Sequence, residues 1–440
     1  MREKTEMIPI PEIEKKNPEE IKLFQEQLLQ KQLIYLKENS PFYSKLFQTN
    51  NIDIEEIKSI EGLVKIPITT KDDLQEFNDD FLCVKRNQIA DYVTTSGTSG
   101  DPVWIALSDN DLDRLAYNEE LSYQCANLSD ESIIQLTTTI DRRFMAGLAY
   151  FLGARKAGIG IVRVGSGVPE LQWDTIRKVK PNALICVPSF LLKMIDYAEE
   201  NGIDYKNSSI KKVICIGEPL RNQDFTENTL SKRITERWNV QLFSTYASTE
   251  MATAFTECEF GVGGHLHPEL IIAEFLDEND NPVKNGEAGE LTITTVGVEA
   301  MPLLRYKTGD ILNFHTEKCE CGRTTLRLSP LVGRKQQMIK YKGTSLYPPS
   351  LMDLLNDFEE IVHHVIEVSS NEINEDEIQV KIYSRSESEE LHDKIKDRFR
   401  SKVRVSPKII FVPEQEILKI KFPENSRKSI TFVDNRKSIG

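Results

Sequence analysis

Between Ile133 and Ala247 short apolar runs alternate with longer helical patterns: IIQLTTTI, IGIVRV, ALICVP and KVICIG are each followed by an amphipathic or polar stretch. This rhythm constrains the chain more than any other feature. Strands separated by helix-length segments form βαβ units, which implies parallel strands with helices packed across them. From Leu270 to His315 the pattern changes to β-rich segments broken by turn residues, Asn281 with Pro282 and Asn285 with Gly286, which predicts a smaller β subdomain. From about Met338 come MIKYKG, a helix-like PPSLMDLLNDFEE, a strand-like EIQVKIYS, a charged helical ELHDKIKDRFRSKV and a strand-like KIIFV. That is a compact α+β unit of about a hundred residues. A chain of 440 residues is long enough for two or three domains.

Charge and apolar patterning exclude several classes of function. With 69 acidic against 55 basic residues the formal charge is −14, and such a surface repels phosphate backbones, so no nucleic-acid partner is expected. The longest uncharged apolar stretch, Phe144 to Ala154, is too short to span a bilayer, so no membrane partner is expected either. MREKTEMIPIPEIEKKN lacks the apolar core of a signal peptide, and a cytoplasmic location is expected. Seven cysteines do not make a disulfide framework in so long a chain. Cys83, Cys125, Cys186 and Cys215 lie singly among apolar or mixed neighbours and read as small core residues.

The sharpest local feature is TTSGTSGDP, Thr94 to Pro102, after the strand-like Asp91-Tyr92-Val93. Its hydroxyls and glycines, Thr95, Ser96, Gly97, Thr98, Ser99 and Gly100, can wrap an anion, with backbone amides turned inward and side-chain donors for phosphate oxygens. It lacks the Gly-Lys-Ser/Thr ending of a Walker loop. Alone, such a loop is more often just a flexible turn. The order of further motifs decides between them: Ile216-Gly217-Glu218-Pro219, Tyr246-Ala247-Ser248-Thr249-Glu250, Arg305-Tyr306-Lys307-Thr308-Gly309-Asp310, Gly333-Arg334, and Lys428 within SRKSITFVDNR.

This ordered set resembles the adenylate-forming superfamily of acyl- and aryl-CoA ligases. SPFYSKLF, IPITTKDDLQ, VPSF, LLRYKTGD and CECGRT are similar to stretches of its phenylacetate-CoA ligase branch. The resemblance implies an α/β fold, a large N-terminal body over residues 1–333 with a β-rich subdomain, and a small mobile C-terminal α+β lid over 334–440, with the nucleotide site in the cleft between them. It implies ATP-dependent activation of a carboxylic acid, aryl or medium-sized, to acyl-AMP with loss of pyrophosphate. The acyl group then passes to the thiol of coenzyme A or, alternatively, of a carrier-protein phosphopantetheine, in a monomer or homodimer. On this likeness the TSGTSG loop holds the β- and γ-phosphates, and Glu250, with Thr249 beside it, carries Mg²⁺. Gly217, Glu218 and Pro219 line the adenine pocket with Tyr246, Asp310 accepts from the ribose hydroxyls, and Arg334 lies near ribose and phosphate. The acid is expected near Asp141-Arg142-Arg143-Phe144, Gly165 and Ser244 to Ala247.

Lys428 stands in a basic terminal stretch, and KSITFVDNR repeats the spacing of the family's terminal lysine motif, with Asp434 and Arg436 at matching places. A compact point charge on a flexible stem suits bridging a carboxylate oxygen and an α-phosphate, so Lys428 is the expected adenylation lysine. Arg427 replaces the usual preceding glycine, and Gln336 stands where the family's hinge is often acidic.

A second constellation is Cys258, His265, Cys319 and Cys321, in CEFGVGGH and CECGRT. Cys-x-Cys before glycine is a tight chelating turn, and a Cys-x6-His pair completes four ligands for tetrahedral, structural Zn²⁺. These positions also look like a zinc site of the phenylacetate-CoA ligase branch. His267 is the substitute ligand should His265 point elsewhere.

Overall fold

The computed structural model describes residues 7–95, 102–341, 344–371, 376–423 and 429–436. Ser96, Gly97, Thr98, Ser99, Gly100 and Lys428 lie outside the described residues. The chain divides into two compact units, Met1–Thr308 with Leu312–Pro330, and Gly309–Ile311 with Leu331–Gly440. No described helix is long and apolar enough to cross a membrane.

The first unit opens with α1 (Pro18–Asn39), α2 (Pro41–Thr49) and α3 (Lys71–Glu76). Each starts where its sequence supplies a cap. The Asn17 side chain accepts from the Glu20 amide while Glu20 accepts from the Asn17 amide, Ser40 caps α2, and Thr70 with Asp73 forms a second reciprocal pair. An antiparallel hairpin, β1 (Ile89–Thr94) and β2 (Trp104–Ser108), feeds α4 (Asp109–Cys125), whose cap is Ser108.

The predicted βαβ region follows as β3 (Ile133–Leu136), α5 (Met145–Lys156), β4 (Gly160–Arg163), α6 (Pro169–Val179), β5 (Ala183–Cys186), α7 (Pro188–Glu200), β6 (Lys212–Ile216), α8 (Thr229–Thr235), β7 (Gln241–Ser248) and β8 (Thr253–Thr256). The sheet runs in the order β4-β3-β5-β6-β7-β8. Its first five strands are parallel, and β8 returns antiparallel from β7. All four residues of β5 are buried, as expected of a strand covered on both faces. The chain leaves β3 toward β4 and leaves β5 toward β6, in opposite directions. Their carboxyl ends therefore flank the switch point at which open α/β sheets take ligands.

The β-rich region forms β9 (Gly264–His265), β10 (Ile271–Leu276), β11 (Ala288–Thr295), β12 (Tyr306–His315) and β13 (Arg327–Leu328), ordered β10-β11-β12-β13-β9. Of the four cysteines read as core, Cys125, Cys186 and Cys215 are buried and Cys83 is half-buried.

In the second unit β14 (Gly333–Arg334) pairs antiparallel with Asp310 and Ile311. The unit continues as the hairpin β15 (Ile339–Tyr341) and β16 (Thr344–Leu346), α9 (Pro348–Asn356), β17 (Ile361–Ser370), β18 (Asp376–Ser384), α10 (Glu389–Val403), β19 (Lys408–Phe411), α11 (Glu414–Lys421) and β20 (Phe432–Asp434). A sheet ordered β19-β18-β17-β20 packs on a core that includes Ile366, Val380, Ile395 and Phe399.

Candidate functional site

The motif residues of the first unit gather at strand ends. Thr95 closes the hairpin arm before the phosphate-type loop: its amide donates to the Val103 carbonyl at 3.0 Å and its hydroxyl oxygen accepts from the Val103 amide at 3.0 Å. Gly217, Glu218 and Pro219 leave the carboxyl end of β6. Gly217 has φ +79°, a left-handed conformation that L side chains disfavour. Glu218 does structural work with its side chain. Its two oxygens accept from the Ser189 amide and hydroxyl, each at 2.8 Å, at the start of α7, a helix without a side-chain cap of its own. That side chain is thereby tied to the first turn of α7.

Tyr246 lies in β7 opposite Phe255, with ring centroids 6.1 Å apart. Thr249 and Glu250 occupy the turn between β7 and β8. Two α4 residues that sequence reasoning missed hold this turn. The Arg114 guanidinium donates to the carbonyls of Ala252 (2.6 Å), Leu270 (2.6 Å) and Val296 (2.8 Å) and to the Thr253 hydroxyl (3.1 Å). Burial pulls its pKa down to about 10, so it stays charged at neutral pH. Asn118 accepts from the Ala254 amide at 3.0 Å. In DNDLDRLAYNEEL neither residue looks different from a solvated helix face, so no sequence signal marks them.

At the carboxyl end of β3, Arg142 and Arg143 are consecutive non-glycine residues with φ of 58° and 60°. Such backbone costs on the order of 1 kcal/mol or more per residue and clusters at functional sites. The Arg143 guanidinium lies 5.0 Å from the Trp104 ring, and its carbonyl accepts from the Thr94 amide. This joins the expected acid-binding segment to the arm of the phosphate-type loop.

In the second unit Asp310 and Arg334 face each other across β12 and β14, with Arg334 Nε donating to the Asp310 carboxylate at 3.2 Å. Asp310 lies within a strand, after Gly309 at φ +76°.

The cysteine and histidine residues converge. One ligand atom from each of Cys258, His265, Cys319 and Cys321 lies within 4.8 Å of all the others. Cys258 Sγ is 3.6 Å from Cys319 Sγ, and Cys321 Sγ is 3.6 Å from His265 Nε2. An ion with bonds of about 2.3 Å to sulfur and about 2.05 Å to nitrogen has tetrahedral edges of about 3.8 Å and about 3.6 Å. The set therefore fits a four-coordinate ion and is too open for a disulfide. Contact with Cys319, then Cys321, and burial push the Cys258 thiol up, whereas Cys321 is pulled down by accepting from Cys258 and Cys319. Burial holds the His265 imidazole below its ordinary pKa, in the neutral form that coordinates metals. His267 is committed elsewhere. Its Nδ1 is 2.5 Å from the fully buried Glu14 carboxylate, whose other oxygen accepts from Arg323 Nε at 2.5 Å, while Arg323 also reaches Cys321 Sγ at 3.5 Å.

Residues 18–300 match the AMP-binding enzyme family. The chain is 29% identical to the phenylacetate-coenzyme A ligase of Thermus thermophilus over 377 residues, 84% of this chain and 83% of that protein. It is 26% identical to the phenylacetate-coenzyme A ligase of Escherichia coli over 447 residues, 97% and 98% of the two chains. A crystal structure of 2-hydroxyisobutyryl-CoA ligase, in the postadenylation state in complex with 2-HIB-AMP, superposes with a TM-score of 0.84 at 21% identity, covering 97% of this chain and 92% of that one. The fold is that of this structure, and the chain belongs to the AMP-binding enzyme family, the adenylate-forming ligases.

Proposed function

We propose that the protein activates a carboxylic acid, aryl or medium-sized, with ATP and transfers the acyl group from acyl-AMP to coenzyme A in the cytoplasm. The observation that carries this reading is the placement of separate motifs on one edge of one sheet. Gly217 to Pro219 and Asp141 to Arg143 follow the carboxyl ends of parallel strands, Tyr246 to Glu250 run through and past the carboxyl end of another, and Arg143 is bonded to the arm of the TSGTSG loop. Ligands of open α/β sheets bind at that edge.

A carboxylate oxygen is a poor leaving group, so the acid must first become a mixed anhydride with AMP while the site stabilises charge on the departing pyrophosphate. In this reading Thr95 to Gly100 hold the β- and γ-phosphates. Gly217 to Pro219 and Tyr246 enclose the adenine, and Glu250, beside Thr249, supplies a carboxylate for Mg²⁺. Asp310 accepts from the ribose hydroxyls, with Arg334 holding its carboxylate. Residues 334–440 serve as the lid whose Lys428 bridges the acid and the α-phosphate as they join. Cys258, His265, Cys319 and Cys321 would hold a structural Zn²⁺, which supplies crosslinking only, since four protein ligands leave no open position for water.

ATP–pyrophosphate exchange across a panel of aryl and alkyl acids tests the first half-reaction, because exchange arises only where an acid forms its adenylate. No exchange with any acid would remove the reading. Thioester formation with free coenzyme A and with a carrier protein, compared side by side, tests the acceptor.

A further inference from the structure

We infer that Arg221 couples the cysteine and histidine centre to the adenine loop through Glu257, so that metal retention and nucleotide binding strengthen each other. The inference rests on the proposed roles of Gly217 to Pro219 and of the four ligands, and adds a positioning residue that neither role requires.

Three contacts build the link. Arg221 lies two residues beyond Pro219, in a segment pinned from the other side by Asn228. The Asn228 side chain donates to the Pro219 carbonyl at 2.9 Å and its amide donates to the Leu220 carbonyl at 3.0 Å. The Arg221 guanidinium forks onto Glu257, Nη2 to Oε1 at 2.8 Å and Nε to Oε2 at 3.4 Å, with Glu227 a more distant second carboxylate at 3.9 Å. Glu257 is 0% exposed and is joined by its peptide bond to the ligand Cys258. The third contact is with the ligand loop itself. Gly261, between Cys258 and His265, has φ +62°, and a Cβ placed there would come within 2.6 Å of Arg221 Nη2. The guanidinium is thus seated against the backbone of this loop, at a left-handed position that favours glycine.

Energetics make this a stiff link. Opening the pair would leave the Glu257 carboxylate buried and uncompensated, which costs far more than loss of an exposed ion pair. Any shift of the Cys258 segment therefore has to move Arg221, and with it the chain after Pro219. Two sites that bias one another's geometry in this way share a coupling free energy, and the coupling is reciprocal: what metal does for nucleotide affinity, nucleotide does for metal retention.

The test uses the full chain as purified, without acid, so that no turnover occurs. Zinc release to a chromogenic chelator is followed with Mg·ATP, with Mg·GTP as the control for chelation by a triphosphate, and with neither. ATP binding is titrated before and after the metal is stripped. ATP is expected to slow release about fivefold or more relative to GTP, stripping is expected to weaken ATP binding, and the zinc affinity measured by chelator competition at equilibrium with and without ATP is expected to change by the same factor as the ATP affinity. Arg221→Lys keeps the charge beside Glu257 but loses the fork. It should retain one zinc per chain, bind ATP several-fold more weakly, and show release that ATP no longer slows. Zinc release from the wild-type protein that is indifferent to ATP, although ATP binds and zinc is present, overturns the coupling. Failure of the wild-type protein to bind ATP, or absence of zinc in it, removes the nucleotide or the metal reading respectively, and the coupling falls with either.

Discussion

Replacing Glu119 with Gln should make the protein more stable at alkaline pH and leave it nearly unchanged in mild acid. Glu119 is buried in α4 where α5 approaches so closely that a Cβ on Gly153 would lie 2.4 Å from the Glu119 Cβ. Its Oε1 accepts from the Asn118 side chain at 3.1 Å, and Oε2 has no hydrogen-bond partner among the described residues. Burial pushes the carboxyl from 4.5 up to about 8, against weaker downward pulls from Ser122 and Asn118. The folded chain therefore holds a proton there that the unfolded chain has already released. Stability from this proton is complete below the unfolded pKa and is lost as pH rises from about 4.5 through about 8. A displacement of about 3.5 pH units at about 1.4 kcal/mol each sets an upper bound near 5 kcal/mol. Relaxation and water entry reduce such figures, so about 2 to 4 kcal/mol is the expected gain of the variant at pH 8.5. Gln is nearly isosteric with the protonated acid, so little packing is disturbed. Urea denaturation of both proteins at steps from pH 5 to pH 8.5 measures the difference. Two parallel stability curves would refute the reasoning, since they would mean that Glu119 titrates alike in the folded and unfolded chains.

Protein purified without chelators should carry about one zinc per chain, and Cys319→Ser should lower metal content and thermal stability more than it lowers the turnover of the molecules that stay folded. Metal analysis that finds no zinc in the wild-type protein ends that expectation. Lys428→Ala should slow acyl-AMP formation about a hundredfold or more while largely sparing thioester formation from synthetic acyl-AMP, because the contact it removes belongs to the first transition state. Equal losses in the two assays would make the lysine a structural residue. Glu250→Gln should raise the magnesium concentration needed for half-maximal pyrophosphate exchange, again sparing the reaction of supplied acyl-AMP. An unchanged magnesium curve would take the metal role away from Glu250.

Periodicity carried most of the fold. The runs IIQLTTTI, IGIVRV, ALICVP and KVICIG became β3, β4, β5 and β6 of one sheet; β3, β5 and β6 lie inside it and are mostly buried, as strands covered on both faces are, whereas β4 stands at its edge and is half-buried or exposed. The C-terminal unit was less legible. IVHHVIEVSS, which forms β17 at the middle of its sheet, puts histidines where a buried strand normally shows aliphatic residues. His364 is nonetheless buried there, and burial with the nearby Lys421 drives its pKa down to about 3, so it packs as a neutral ring. The short α11 and β20 offer too few residues for a period to register.

Motifs could name the residues expected to face a ligand but not those that hold them. Glu218 is part of a nucleotide-type motif, yet its carboxylate is spent on the Ser189 amide and hydroxyl. The sequence assigns no role to Arg114, Arg221 or Arg323, and all three are buried or nearly so. Each joins segments far apart in the chain: Arg114 ties α4 to the Glu250 turn, Arg221 the segment after Pro219 to Glu257, and Arg323 the Cys321 turn to Glu14. A guanidinium is suited to this because its five fixed donors can satisfy carbonyls and carboxylates from several directions at once. No local period marks such a residue, since its partners lie 138, 36 and 309 positions away. The motif positions proposed to face a ligand are thus local in sequence, while what holds them is a set of long-range hydrogen bonds. Substitutions at these arginines should consequently act on affinity and metal retention rather than on the identity of the reaction.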